Sequence, residues 1–140
     1  MKFEFDIQGG DFSNAGAASS QIKKILKQLN VDTRLIKKTV VALYEAEVNV
    51  VAHAYRGKIF ADIDDKRIDV LLEDEGPGIE NIDEAMEDGY STASDEVREM
   101  GFGAGMGLSN IKKNTDVLNL ESTVGKGTRV QIINYLYENK

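Results

Sequence analysis

Residues 99–113, EMGFGAGMGLSNIKK, carry glycine at 101, 103, 105 and 107 and then turn into a helix-like pattern. A glycine inside a helix costs about 1 kcal/mol against alanine, and it loses more backbone entropy than any other residue. Residues 101–107 are therefore poor material for a helix or a packed strand, and the chain must place a bare loop ahead of a helix N-terminus near Gly107-Leu108. Backbone N–H groups at such a junction attract anions, and glycine lets the loop swing as a lid. The spacing is not a dinucleotide fingerprint, because position 108, where a third glycine would follow Gly103 and Gly105, is leucine. Nor is Gly125-Lys126-Gly127 a Walker A loop: Gly127 stands where Ser or Thr is required, and the glycine five residues earlier is missing.

The flanking pattern places this loop in an ordered series of elements. Phe3, Phe5 and Ile7 alternate with Glu4 and Asp6, which predicts a strand ended by Gly9-Gly10. Ser13 is a candidate cap for a helix with its apolar stripe on Ala15, Ala18, Ile22, Ile25 and Leu29. Asp32 or Thr33 would cap a longer helix reaching about Arg56. Segments 58–63 and 67–73 alternate around Asp64-Asp65-Lys66 and predict a hairpin. A glycine-containing polar stretch from about 80 to 100 leaves room for a short helix at 82–87. After the glycine run come a helix to about Asp116 and strands over 117–124 and 128–136. Strands that pair locally, with few parallel crossovers, predict an α+β two-layer sandwich: helices on one face of a mixed sheet. At 140 residues and 41% hydrophobic content, the chain reads as one domain over 1–140 with a real core.

Charge narrows the ligands. With 24 acidic and 17 basic side chains the formal net charge is −7, which argues against nucleic acid and anionic membranes as partners. A bound phosphate would need backbone N–H groups, a metal ion or a few placed cations. Cysteine is absent and His53 is the single histidine, so a thiolate site is excluded and zinc is disfavoured. No apolar run nears the ~20 residues that span a bilayer, and the start of the chain is not a secretory signal; the expected setting is cytoplasmic.

In the second helix Ile36, Val40, Leu43, Val50, Val51 and Ala54 share one face. Glu45, Asn49 and His53 recur every fourth residue on another side, with small Ala42 and Ala46 beside them leaving space for an approach; Glu47 falls on a different face. The stripe is either a solvated helix face or a carboxylate and an amide aimed at one ligand. Asparagine offers a neutral oxygen suited to Mg²⁺, and glutamate can take a proton from a hydroxyl or water. For His53, packing or partner contact ranks ahead of ligation. Asp74 ends a strand with Gly76 and Gly78 following, which reads either as a plain turn or as a carboxylate beside a bare backbone on which a flat ring can lie.

Glu45-x-x-x-Asn49, Asp74-x-Gly76-x-Gly78, Gly103-Ala-Gly105-Met-Gly107-Leu108 and Gly125-Lys-Gly127-Thr128 follow one another in this order. The set resembles the N, G1, G2 and G3 boxes of the GHKL ATPases: gyrase, Hsp90, histidine kinases and mismatch-repair ATPases. Over its whole length the chain is similar to the small anti-sigma factor and switch-protein serine kinases of bacterial stress and sporulation signalling. EAEVNVVAHAY is similar to their N box, and DEGPGIENIDEAMEDGYST to their G1 box and the start of the lid. The resemblance implies a Bergerat-type ATP-binding fold with ATP and Mg²⁺ as ligands. It implies Asn49 on Mg²⁺, Asp74 on the adenine amine, and Gly76 and Gly78 beside the base. It further implies Gly103, Gly105, Gly107 and Leu108 at the phosphates, Thr128 supporting the adenine pocket, and Glu45 as catalytic base.

Three functions follow as alternatives. One is a serine/threonine protein kinase that phosphorylates a small antagonist protein, with a sigma factor or scaffold as regulatory partner. Another is an ATP-binding protein that sequesters such a partner without phosphotransfer. The third is an ATPase fragment of a histidine kinase or DNA-repair clamp. Glu45 favours attack by a hydroxyl or water, since a histidine nucleophile needs no base. The sequence is compatible with a homodimer and does not decide the oligomeric state.

Overall fold

The alternation of the N-terminal segment becomes strand β1, Lys2–Gln8, with Ile7 buried and Phe3 and Phe5 packed against the core while Glu4 and Asp6 face water. In this computed structural model, which describes residues 1–79 and 107–136, β1 pairs antiparallel with β2, Arg56–Ile63. Strand β2 returns through the turn at 64–66 to β3, Arg67–Glu75. The two last strands are β4, Val117–Thr123, and β5, Gly127–Tyr135. Their order across the sheet is β1-β2-β3-β5-β4.

Helices α1 (Ala17–Gln28), α2 (Thr33–His53) and α3 (Gly107–Lys113) contribute to a single core with the sheet, as a two-layer α+β sandwich requires. The sheet is not mixed: every pairing among the described residues is antiparallel. The crossover from β3 lands β4 one place beyond adjacency, and β5 turns back into the slot between them. No described helix is long and apolar enough to cross a membrane.

Several boundaries move for local reasons. Helix α2 stops at His53, because Ala54 is extended and the N–H of Tyr55 is taken by the carbonyl of Glu75. Asp32, not Thr33, is its cap, accepting from the N–H of Arg34 at 2.8 Å. Helix α3 ends at Lys113, where the side chain of Asn114 bonds back to the carbonyl of Asn110. Ser13 does not cap α1: it lies in a short 3₁₀ turn with its hydroxyl on Asp11, and the N-cap of α1 is Gly16, without a side-chain acceptor of its own. Leu29 falls just past the helix and is exposed. The short helix expected at 82–87, the lid segment and Gly101, Gly103 and Gly105 lie outside the described residues.

Candidate functional site

Asp74 stands near the end of β3, and its Oδ1 accepts from the backbone N–H of Thr128, 54 residues away, at 3.0 Å. The loop after it is zipped to the β4–β5 turn. Gly76 N–H donates to the Lys126 carbonyl at 3.1 Å, and Gly125 N–H to the Pro77 carbonyl at 2.8 Å. Ile79 N–H donates to Ser122 Oγ at 2.7 Å. Ser122 Oγ also donates to the Gly127 carbonyl at 3.2 Å and is hydrogen-bonded to Thr128 Oγ1 at 2.9 Å. The two glycine motifs thus form one unit, and Ser122, which the sequence reading passed over, is its hub. A signal existed: a tight turn at 124–126 puts Ser122 opposite Thr128.

The glycines of this unit are required by the fold itself. A Cβ on Gly127 would collide with the Asp74 carbonyl, one on Gly78 (φ +77°) would lie 2.5 Å from the Thr123 carbonyl oxygen, and one on Gly76 would lie 3.0 Å from Ala54 Cα. At these positions the missing side chain makes room for the protein's own backbone.

The C-terminal end of α2 abuts the same unit. A Cβ on Gly57 would meet both Val50 and Asp74, and Gly76 sits against Ala54 and the His53 carbonyl. Helix α3, opening at Gly107 with Leu108 half-buried against the core, packs along α2. Glu45, Asn49 and His53 are all half-buried. Ala42 and Ala46 are buried at 0% and 3% exposure, so the space they leave is filled by protein packing, not left open to a ligand.

Commitment separates the polar groups of α2. Glu45 and Asn49 engage no hydrogen bond or ion pair among the described residues. Glu47 between them is buried, with both oxygens saturated by α1. Asp74 is half committed: Oδ1 is taken, while Oδ2 accepts nothing among the described residues. Burial pushes the Asp74 carboxyl above its ordinary value, partly opposed by the Thr128 N–H; burial likewise holds the His53 imidazole below its ordinary value.

Among the described residues Asp74 Oδ2 is the oxygen this unit leaves for a ligand. A carboxylate oxygen held at a strand end can accept from an exocyclic amine. A divalent cation would have to draw further ligands from phosphates, because no group of three His, Asp or Glu side chains that could hold a metal comes together among the described residues. The open groove of about 460 Å³ lined by Met1, Leu29, Val31, Ile63 and Leu136, among others, contains none of these residues.

Residues 11–134 match the model of the histidine kinase-like ATPase domain. The chain is 34% identical over 132 residues to an anti-sigma F factor of Caldanaerobacter subterraneus subsp. tengcongensis, covering 91% of this chain and 89% of that protein. It is 33% identical over 124 residues to the serine/threonine-protein kinase RsbT of Bacillus subtilis, covering 86% and 87%. The fold matches that of the mycobacterial sensor histidine kinase MprB at a TM-score of 0.53 and 15% identity, over 96% of this chain and 97% of that one. The chain therefore belongs to the histidine kinase-like ATPase domain family, in the group that holds the anti-sigma F factors and the RsbT-type serine kinases.

Proposed function

We propose that this protein is an ATP-dependent serine/threonine kinase that phosphorylates a small antagonist protein, with a sigma factor or signalling scaffold as its regulated partner. The observation that carries the reading is the pair Glu45 and Asn49. They lie one helical turn apart, half-buried and without a hydrogen bond or ion pair among the described residues, on the helix whose end abuts Asp74. Family membership supplies the nucleotide: an ATPase domain binds ATP. Asp74 Oδ2 accepts from the adenine amine, while Thr128 N–H keeps Oδ1 in place and the carboxylate oriented. Gly76 and Gly78 set the loop beneath the base, and Gly103, Gly105, Gly107 and Leu108 belong to the segment that meets the phosphates. Asn49 offers its side-chain carbonyl to Mg²⁺, which when bound neutralises charge on the phosphates. Glu45 takes the proton of the acceptor serine as its oxygen bonds to the γ-phosphorus and ADP leaves.

A second reading, sequestration of a partner without phosphotransfer, is favoured by the name of the relatives, anti-sigma F factor. One experiment separates the two. The protein is mixed with labelled ATP, Mg²⁺ and the small antagonist protein encoded nearest to it, and phosphoserine is sought. Glu45→Gln keeps size and hydrogen bonding but loses the proton acceptor. ATP affinity should hold while the transfer rate falls roughly 10²- to 10⁴-fold. A wild-type protein that binds ATP and partner yet transfers nothing would establish the sequestering role instead.

A further inference from the structure

Glu47 is the one charged side chain buried among the described residues, at 2% exposure. Its Oε2 accepts from the N–H groups of Gly16 at 2.9 Å and Ala18 at 3.3 Å. Its Oε1 accepts from Ser19 N–H at 2.9 Å and from the Ser19 hydroxyl at 2.6 Å. These donors are the first turn of α1 and its N-cap, so a carboxylate on one helix caps another. A local Ser or Asp could cap α1 without burying a charge, and burying a carboxylate is costly unless every donor stays in place.

The position of Glu47 on α2 supplies a reason. At about 100° per residue, Glu45 and Asn49 project about 40° apart, and Glu47 points about 180° away from the midpoint between them. Helix α2 is thus gripped from behind at the level of Glu45 and Asn49. The rest of the buried face is mainly apolar, Ile36, Leu43, Val48, Val50 and Val51 beside small Ala42 and Ala46, and apolar contact is non-directional. Any turn or slide of α2 against α1 strips the buried carboxylate of its donors and leaves a charge uncompensated.

We infer that Glu47 is a positioning residue: anchored on the N-terminus of α1, it sets the rotation and axial register of α2, and with them the direction in which Glu45 and Asn49 project. The inference rests on the roles proposed above for those two residues, but its deciding readout needs no nucleotide. The Asn49 side-chain amide and the backbone of 44–50 are followed by NMR in Glu47→Gln, which turns one acceptor into a donor facing N–H groups. Ser19→Ala, which removes only the hydroxyl contact, is followed in parallel. The Asn49 signals should move or double in Glu47→Gln, and move less in the same direction in Ser19→Ala. Mg²⁺-dependent ATP affinity should fall about tenfold and Mg²⁺-free ADP affinity clearly less, because Asp74 is held from the sheet by Thr128 and only flanked by the end of α2. Asn49 signals at wild-type positions, with only Gly16, Ala18 and Ser19 amides exchanging faster, would overturn the inference and leave Glu47 a cap. If Glu47→Gln fails to fold, the Ser19→Ala spectrum alone decides on the same criterion. Absence of Mg²⁺-dependent binding in the wild type would count against the proposed function and not against the register, which the resonances report directly.

Discussion

The specificity of the proposed site comes down to one oxygen. Thr128 N–H holds Asp74 Oδ1, so in Asp74→Asn the amide oxygen keeps that bond and the new NH₂ replaces Oδ2. A donor would then face the donor of the adenine amine. Losing a hydrogen bond to a charged group costs about 1.5–3 kcal/mol, so ATP affinity should fall roughly 10- to 100-fold, with GTP affected less. Calorimetry with both nucleotides checks this. Asn134 argues a separate point about the core. It is fully buried; its amide donates to Thr39 Oγ1 and the Asn114 carbonyl, and its oxygen accepts from Asp116 N–H. Asn134→Leu leaves those partners unpaired and should cost about 2–4 kcal/mol in urea unfolding, with little change in nucleotide affinity of the folded protein.

At the scale of elements, α2 does most of the organising: it packs on α1 and α3, crosses the sheet, and delivers its end to the β3 loop. His53 closes that helix, its imidazole held by burial below the ordinary value of 6.5. The sign follows from proton counting. Below about pH 6.5 the unfolded chain takes up a proton that folded His53 declines, so stability falls as pH drops from 6.5 through the folded-state value. Urea midpoints between pH 7.5 and 5.5 should decline in the wild type and decline less in His53→Gln. Asp74, raised by burial, acts with the opposite sign at the low end of that window, and the difference between wild type and His53→Gln isolates the imidazole.

Across the whole molecule, nucleotide binding should appear as stability. A ligand at one hundred times its dissociation constant stabilises the folded state by about 2.7 kcal/mol. For a chain of 140 residues that raises the melting temperature by roughly 5–10 °C. With a net charge of −7, the triphosphate needs a cation, so EDTA should remove most of the gain with ATP. An equal shift with GTP would contradict the adenine site. The order of the described elements was legible in the sequence because side-chain period is a local property: the alternation at Phe3, Phe5 and Ile7 and the apolar face of α2 need no partner to be read. The spacings around Glu45, Asp74 and Gly127 were equally legible, since each sets a local backbone geometry. What only the tertiary structure decided is who meets whom across the chain. Glu47 on a helical pattern looks the same whether it faces water or caps α1 across 28 to 31 residues. Why glycine stands at 78 and 127 is equally hidden in the sequence, since a Cβ there would meet the carbonyls of Thr123 and Asp74, far along the chain. The antiparallel order depended on where the crossover set β4 down. Period and spacing record the conformation of a segment; pairing between distant segments is settled by packing, where a buried charge or a missing Cβ has meaning only beside its neighbour.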